Sequence, residues 1–259
     1  MELCHFSGTK GVDGKTPVVV LSGIPGGVEG ARRFHQDLAK HRPVIGIGLG
    51  LGLGEGHIPR NRGPDGWHAQ STTLCNLLTS AGLEHFHLVG LSYGGVWAQY
   101  VAQHAGPRVR SVSLVATTGR LRARERAIVE HLEAQLASSL PLPEILRGLM
   151  LLLLSPTWLA KPGAMMLVEH FSSRVKASRR DVSQRLEQLR EHDLRALTWP
   201  KGLPAHVFAG TSDWLFPPQL SRELAKLTGA TYRELDAGHL LWVERRESLA
   251  AAVATTFGA

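Results

Sequence analysis

A serine between glycines is the first feature of this 259-residue chain that could do chemistry. It lies in Gly90-Leu91-Ser92-Tyr93-Gly94-Gly95, which follows a strand-like apolar run and opens a helix-like stretch. In a sharp strand-to-helix turn only small residues fit two positions before and after the serine, which accounts for Gly90 and Gly94. Such a turn lifts the hydroxyl above the sheet edge, beside the N–H groups of a helix N-terminus. Ser92 is therefore the candidate nucleophile, although the same letters also suit an ordinary glycine-rich turn.

A serine hydroxyl needs a base, and the base needs a carboxylate that orients it. His239 ends the segment Asp236-Ala237-Gly238-His239, directly after the last strand-like run. Asp213 occupies the corresponding place after the preceding run. We therefore expect His239 to be the base and Asp213 its orienter. Asp236 is a rival carboxylate, but it stands only three residues before the histidine and is expected to face elsewhere.

These side chains need a framework that brings them to one place. Apolar runs predict strands over residues 16–21, 43–47, 85–90, 109–115, 205–210 and 231–235. Helical spacing predicts helices over residues 31–41, 69–81, 96–103 and 240–257. Strands that alternate with helices indicate βαβ units, so we predict an α/β fold whose mostly parallel sheet is flanked by helices. All three candidate residues then follow strands at the carboxyl edge of that sheet.

The βα pattern is interrupted by a helical insertion. From about residue 121 to 197 the sequence has helical spacing almost throughout, with breaks at Pro141, Pro143, Pro156 and Pro162. We therefore divide the chain into a core of residues 1–119 and 200–259 and a helical lid of residues 120–199. Parallel sheets bind ligands at their carboxyl edge, so the lid is expected to cover that edge.

Glycine occupies every even position from Gly46 to Gly56. A dinucleotide fingerprint needs glycines at offsets 0, 2 and 5, which this alternating run cannot supply, and no phosphate-binding GxxxxGK[ST] segment is present. We interpret the run as a loop after the second strand, with an alternation that also suits a longer strand. No metal or redox cofactor is expected.

Residues Leu21-Ser22-Gly23-Ile24-Pro25-Gly26-Gly27 add a family resemblance. With this segment, and with the order Ser92, Asp213, His239, the chain resembles the α/β-hydrolase family, in its lidded esterase and lactonase branch. The resemblance covers nearly the whole chain and implies an oxyanion hole made by the backbone N–H groups of Ile24 and Tyr93. Ser22 stands where the family usually has histidine, a change that leaves those backbone donors in place.

The family also narrows the chemistry. Its haloalkane dehalogenases and epoxide hydrolases use an aspartate nucleophile, and the epoxide hydrolases also use lid tyrosines, whereas here Ser92 is a serine and residues 120–199 contain no tyrosine.

One segment departs from the family pattern. After the second strand, relatives usually carry Asp-x-x-Gly-x-Gly-x-Ser, but here the Asp position falls on leucine. The shape of the loop over residues 48–64, and of the pocket wall that it forms, is therefore not given by the resemblance.

Large apolar side chains are the candidates for the substrate pocket. They are Met150, Trp158, Met165, Met166 and Phe171 in the lid, with Trp214 and Leu240 after the two strands that carry the aspartate and the histidine. Most apolar lid residues must pack on the core, and we expect a minority, the flexible methionines first, to line an apolar acyl or ring pocket.

The chain carries a formal net charge of +7, with acidic and basic residues interleaved on the predicted lid helices. This distribution favours a solvated face over nucleic-acid binding, and no apolar run is long enough for a membrane span. Arg120, Arg122, Arg124 and Arg126 are a weak candidate surface for an acidic carrier protein. The first residues do not resemble a signal peptide, and the two cysteines cannot form a disulfide framework, so a cytoplasmic protein is expected.

Three functions stay open at this stage. The favoured one is a serine hydrolase that cleaves a carboxylic ester or lactone through an acyl-enzyme. A second is a thioesterase or acyltransferase of a biosynthetic pathway, which would need a carrier-protein partner. A third is a non-catalytic member of the fold that binds a small ligand, which a covalent serine probe would distinguish from the other two.

Overall fold

A seven-stranded sheet forms the centre of the computed structural model, which describes residues 2–6, 14–48, 63–175 and 177–258. The strands are β1 (Glu2–Phe6), β2 (Val18–Leu21), β3 (Val44–Gly48), β4 (Phe86–Leu91), β5 (Val109–Val115), β6 (Ala205–Gly210) and β7 (Thr231–Leu235). Their order across the sheet is β1-β3-β2-β4-β5-β6-β7. Only the pairing of β1 with β3 is antiparallel among these described strands, so the predicted mostly parallel α/β sheet is confirmed.

Helices cover both faces of the sheet. In the core they are α1 (Gly27–Gly30), α2 (Arg32–Leu38), α3 (Gly63–Ser80), α4 (Tyr93–Ala105), α10 (Pro218–Thr228), α11 (Leu241–Glu244) and α12 (Arg246–Ala254). Between β5 and β6 lie α5 (Ala123–Ala137), α6 (Leu142–Leu153), α7 (Pro156–Leu159), α8 (Ala164–Arg174) and α9 (Arg179–Arg190). None of the helices in the described residues has the length and apolarity of a membrane span.

Burial on both sides explains why the inner strands are continuous apolar runs instead of alternating ones. Every residue of β2 is buried, but successive side chains of the strand belong to different apolar clusters. Val19 and Leu21 join the apolar cluster on one face, and Val18 and Val20 join the cluster on the other. The core therefore lies in two layers, with the sheet between them.

The direction in which the chain moves across the sheet reverses between β2 and β4. From β2 the chain goes outward to β3, and it then returns to place β4 on the other side of β2, with Leu21 opposite Gly90. The segments that follow β2 and β4 therefore leave the carboxyl edge side by side. In open α/β sheets such a switch point is where ligands bind.

The insertion between β5 and β6 is held together by its own amphipathic helices. In α6 the buried side chains are Ile145, Leu146, Met150 and Leu153, which form one stripe along the helix. Helix α6 packs on α8, and α5 packs on α9. Serine side chains cap two of these helices: Ser155 accepts from the Trp158 amide, and Ser178 accepts from the Asp181 amide.

Several elements differ from the sequence-based prediction. Helices α1 and α10 were not predicted, and α3 begins at Gly63 instead of residue 69. Strand β1 was not predicted, because it exists through its pairing with β3, where Glu2 lies opposite Gly48, and a five-residue edge strand has little signal of its own. The predicted helix over 240–257 is divided into α11 and α12, with Arg245 between them, and a final 3₁₀ turn. Gly46 and Gly48 belong to β3, and the rest of the glycine run lies outside the described residues.

Candidate active site

Ser92 occupies the turn between β4, which ends at Leu91, and α4, which begins at Tyr93. Its backbone has a φ of 54° and a ψ of −119°, a conformation that L-residues rarely adopt. Helix α4 passes so close to β2 that a Cβ atom on Gly94 would lie 2.1 Å from the Leu21 carbonyl oxygen. The Thr117 hydroxyl, which sequence reasoning did not single out, donates to the Ser92 carbonyl oxygen at 2.8 Å.

The structure brings the three predicted chemistry-bearing side chains into one hydrogen-bonded row. Ser92 Oγ lies 2.8 Å from His239 Nε2, and His239 Nδ1 lies 2.8 Å from Asp213 Oδ2. All three residues are buried. Since the aspartate can only accept when ionised, Nδ1 is assigned as the donor, which leaves Nε2 as the acceptor for the serine proton.

The Asp213 carboxylate is fixed by the turn that follows β6. Its Oδ1 accepts from the amides of Leu215 and Phe216 at 2.9 and 2.8 Å, so its Oδ2 is directed at the histidine. The rival carboxylate has a different environment. The Asp236 side chain is 68% exposed and pairs with Arg245 at 2.8 Å.

Two aromatic rings pack against the His239 side chain. The rings of Phe216 and Trp242 meet the His239 ring edge-on, with centroids 5.3 and 5.9 Å away. Such contacts restrict rotation of the imidazole. Hydrogen bonds at both nitrogens and rings on its sides give His239 a single orientation in the site.

The backbone segments of Tyr93 and of Gly23–Ile24 lie beside Ser92. Tyr93 begins α4, so its amide is among the helix's first N–H groups, which have no intrahelical acceptor. After β2, Gly23 lies against the serine, since a Cβ atom on Gly23 would be 3.2 Å from the Ser92 Cβ. Ile24 follows directly and lines the same cavity as Ser92 and His239.

A cavity of about 250 Å³ opens in front of Ser92. The lid contributes most of its wall. The lid side chains that line it are mainly apolar: Ile128, Val129, Leu132, Leu149, Leu152, Leu153, Val182, Leu186 and Leu189, with His131 and Gln135. A reacting group in this cavity would be surrounded largely by hydrocarbon.

A second chamber of about 440 Å³ adjoins the first. The two cavities share Ile24, Pro25, Leu149 and Leu153. Ser92 does not line the larger chamber, so the chemistry belongs to the smaller cavity even though it holds less volume.

The predicted pocket residues divide into two groups. Met150, Trp158, Phe171 and Leu240 line the larger chamber and not the one that holds Ser92. The expectation for the other three is corrected, because Met165, Met166 and Trp214 are 52%, 77% and 56% exposed and line neither cavity. The missed lining residues are mainly the apolar side chains of α5, α6 and α9, which the sequence does not distinguish from core residues.

A buried polar cluster behind the nucleophile was also missed. The Tyr93 hydroxyl donates to Gln188 Oε1 at 2.6 Å, and Gln70 Nε2 donates to the same oxygen at 3.2 Å. Burial raises the pKa of Tyr93 to about 12, so its phenol keeps its proton at neutral pH. The Arg185 guanidinium lies over the Tyr93 ring at 5.9 Å, and burial lowers its pKa.

Three of the four arginines at the start of the lid form ion pairs within the chain. Arg120 and Arg122 both pair with Glu223, at 2.8 and 2.6 Å. Arg124 pairs with Glu125 at 3.1 Å and also donates to the Trp214 carbonyl oxygen. These two carboxylates offset part of the positive charge that would attract an acidic partner.

The sequence of this chain is similar to those of known proteins. A model of the "Alpha/beta hydrolase family" matches residues 18–252. The chain is 28% identical over 230 residues to a protein of Azorhizobium caulinodans named "Putative carbamate hydrolase RutD", a match that covers 86% of this chain and 83% of the relative.

Two solved structures are similar over nearly their whole length. One is a hydrolase from Pseudomonas aeruginosa, with a TM-score of 0.81, 24% identity and coverage of 99% of this chain and 94% of that one. The other is the enol-lactonase from Burkholderia xenovorans, with a TM-score of 0.81, 22% identity and coverage of 98% and 95%. At these identities the two structures show the shared fold.

Proposed function

This chain belongs to the alpha/beta hydrolase family, and we propose that it is a serine-dependent hydrolase that cleaves a carboxylic ester or lactone through an acyl-enzyme. The observation that carries the proposal is the row Ser92–His239–Asp213, with hydrogen bonds of 2.8 Å at both junctions. A hydroxyl, a base and an orienting carboxylate in this geometry are the parts that nucleophilic acyl transfer requires.

The first half of the reaction forms the acyl-enzyme. Ser92 Oγ attacks the substrate carbonyl carbon while its proton passes to His239 Nε2. The carbonyl oxygen becomes an oxyanion that accepts from the amides of Ile24 and Tyr93. The C–O bond to the leaving group then breaks, and His239 returns the proton to the leaving oxygen. In a lactone that oxygen stays attached to the acyl chain.

The second half restores the serine. A water molecule gives a proton to His239 Nε2 as its oxygen attacks the acyl carbon. Collapse of the second tetrahedral intermediate breaks the bond to Ser92 Oγ, which takes the proton back from the histidine. Asp213 accepts from Nδ1 throughout, so it stabilises the imidazolium without becoming protonated. The products are a carboxylic acid and an alcohol, or a hydroxy acid from a lactone.

The cavity supports a substrate with an apolar group of modest size. Its volume of about 250 Å³ is below the range that suits drug-sized ligands. Leu132 and Leu186 contribute to its apolar wall. Ile24 borders both cavities, so the larger chamber adjoins the place where the substrate carbonyl would bind.

Carbamates are a second candidate substrate class. The 28% identical relative is named a carbamate hydrolase, and a carbamate offers a carbonyl carbon to the same nucleophile. Thioester hydrolysis and acyl transfer with a carrier protein are less favoured, because Glu223 offsets part of the positive charge of Arg120 and Arg122 within the chain. A non-catalytic binding role would leave the hydrogen-bonded triad without a use.

A labelling experiment and a substrate screen test the proposal together. Purified protein is treated with a fluorophosphonate, and the modified peptide is identified by mass spectrometry, with Ser92→Ala as the control. Labelling of Ser92 alone is expected, and an unlabelled protein would support the binding role instead. Acyl esters, lactones, carbamates and acyl thioesters of matched acyl length are then compared, and fastest turnover of a thioester would overturn the ester or lactone assignment.

A further inference from the structure

Glu244 is a buried carboxylate on α11 that the catalytic row does not include. Its Oε1 accepts from the amide of Ser155 at 2.9 Å and from the amide of Gly238 at 3.1 Å. Its Oε2 accepts from the Ser155 hydroxyl. One carboxylate therefore joins the residue before His239 to the segment that links lid helices α6 and α7.

A direct bond runs beside this carboxylate. The His239 amide donates to the carbonyl oxygen of Leu153, the last residue of α6, at 2.7 Å. Two consecutive amides, those of Gly238 and His239, are thus tied to the end of α6, one through Glu244 and one directly. Leu153 also lines both cavities, so the same residue contacts the substrate space and the backbone of the histidine.

Gly238 allows this close approach. A Cβ atom on Gly238 would lie 2.6 Å from both Leu153 O and Ser155 N, and 2.8 Å from Glu244 Oε1. Any larger side chain would push the histidine loop away from the lid. The contact is therefore built at the level of the backbone and depends on the absence of a side chain.

The Ser155 hydroxyl completes the contact with Glu244. Ser155 Oγ accepts from the Trp158 amide at 3.1 Å, and it lies 3.0 Å from Thr157 Oγ1. Its single proton goes to Glu244 Oε2, so the threonine hydroxyl donates to it. The carboxylate thus accepts at both oxygens, whereas glutamine would keep one acceptor and the Ser155 hydroxyl would have to change from donor to acceptor.

We infer that Glu244 is a positioning residue that holds His239 in its reactive place only while the end of α6 is packed against the histidine loop. This inference rests on the proposed function. Glu244 touches no reacting atom, and it acts through Gly238 on the position of the imidazole. Movement of the α6–α7 segment away from the core would break the bond from the His239 amide to Leu153 and the bonds from Ser155 to Glu244, so lid packing and the position of the base change together.

The test compares Glu244→Gln with the double variant Glu244→Gln/Ser155→Ala. Glu247→Gln is the control, because Glu247 lies in the next helix with a side chain that is 77% exposed and paired with Arg246. Fluorophosphonate labelling of Ser92 requires His239 to accept the serine proton, so the labelling rate reports on the position of His239. The kcat and KM values on the best ester, and urea unfolding, are measured on the same proteins.

Glu244→Gln is expected to slow labelling and kcat by on the order of tenfold or more, because small displacements of a catalytic group are costly, with KM within about twofold. The double variant should lose at least as much, since it also removes the hydroxyl that links position 244 to the α6–α7 segment. Glu247→Gln should match wild type. If Glu244→Gln does not fold, the double variant is compared with wild type and should label several-fold more slowly.

Wild-type labelling rates in a folded Glu244→Gln protein, or in the double variant where the single one is unfolded, would overturn the inference. Lower unfolding stability without slower labelling would also overturn it, because it would reduce Glu244 to a structural role. These results differ from failure of the proposed function, in which the wild-type protein itself is not labelled.

Discussion

The Tyr93 hydroxyl donates to Gln188 Oε1 at 2.6 Å, which joins the helix that follows the candidate nucleophile to lid helix α9. The backbone and side chain of Tyr93 thus have different surroundings. Its amide lies at the start of α4 beside Ser92, while its ring packs at a tilt of 37° against Trp67 with centroids 4.9 Å apart. Helix α9 of the lid is therefore attached to the residue that directly follows Ser92.

Tyr93→Phe should separate these two contributions. Loss of the hydroxyl removes one buried hydrogen bond and is expected to lower the free energy of unfolding by about 1 kcal/mol. Because the amide is unchanged, kcat is expected to stay within about twofold to threefold of wild type. Urea unfolding and ester kinetics check this. A loss of kcat much larger than that would mean that the phenol itself contributes to the reaction.

Ser92→Ala should abolish turnover while the protein stays folded. Removal of the nucleophile from a serine triad costs on the order of 10⁶-fold in kcat, although binding and the oxyanion donors still give some catalysis. Steady-state kinetics on the best ester and a circular dichroism spectrum provide the measurement. Substantial remaining activity, together with a label on another serine, would show that the nucleophile lies elsewhere.

Asp213→Asn and Asp236→Asn form a matched pair. Asn at position 213 would favour the wrong histidine tautomer, so a loss of on the order of 10⁴-fold in kcat is expected. Asp236 is exposed and bonded to Arg245, so its variant should retain activity close to wild type. Both are assayed on one ester at one pH. The opposite ranking would identify Asp236 as the orienting carboxylate.

Leu132→Trp and Met166→Trp test which lid side chains limit the acyl group. Leu132 lines the cavity, whereas Met166 is 77% exposed. With wild type, binding should improve by about 0.8 kcal/mol per buried methylene until the cavity is full. The series of acyl esters should reach its limit at shorter chains in Leu132→Trp and at an unchanged length in Met166→Trp. An identical limit in all three proteins would exclude Leu132 from the acyl site.

Stability should fall as the pH is lowered, because of buried histidines. Burial lowers the pKa of His35 and of His192 to about 3, so both stay neutral in the folded state until far below the ordinary histidine value of about 6.5. Between about pH 6.5 and 3 the unfolded chain binds protons that the folded chain does not. Each residue should therefore remove about 1 kcal/mol of stability per pH unit as the pH falls through that window.

His192→Gln isolates one of these contributions. The His192 ring bonds to Tyr100 and Gln99, both at 3.1 Å, and glutamine keeps a donor and an acceptor without titrating. Urea unfolding at pH 7, 6 and 5 should give a shallower loss of stability in this variant than in wild type. Parallel pH dependences would show that His192 is not a source of acid sensitivity.

The sequence was enough to predict six of the seven described strands and the positions of the three side chains in the candidate row. Ser92, Asp213 and His239 each follow a strand directly, and the carboxyl ends of parallel strands meet at one edge. Local information in each βα segment was therefore enough to predict a site at that edge. Gly90 and Gly94 were also predictable, because the tight turn that requires small residues extends only two residues to either side of Ser92.

Tertiary packing decided which residues form the walls of the site. The lid helices have apolar side chains in excess, and the faces that turn inward depend on how α5 packs on α9 and α6 on α8. That is why Met165 and Met166 are exposed while Leu132 and Leu186 line the cavity. The contacts of Glu244 with Ser155 and Gly238 likewise join segments up to 89 residues apart, and such separations leave no periodic signal in a sequence.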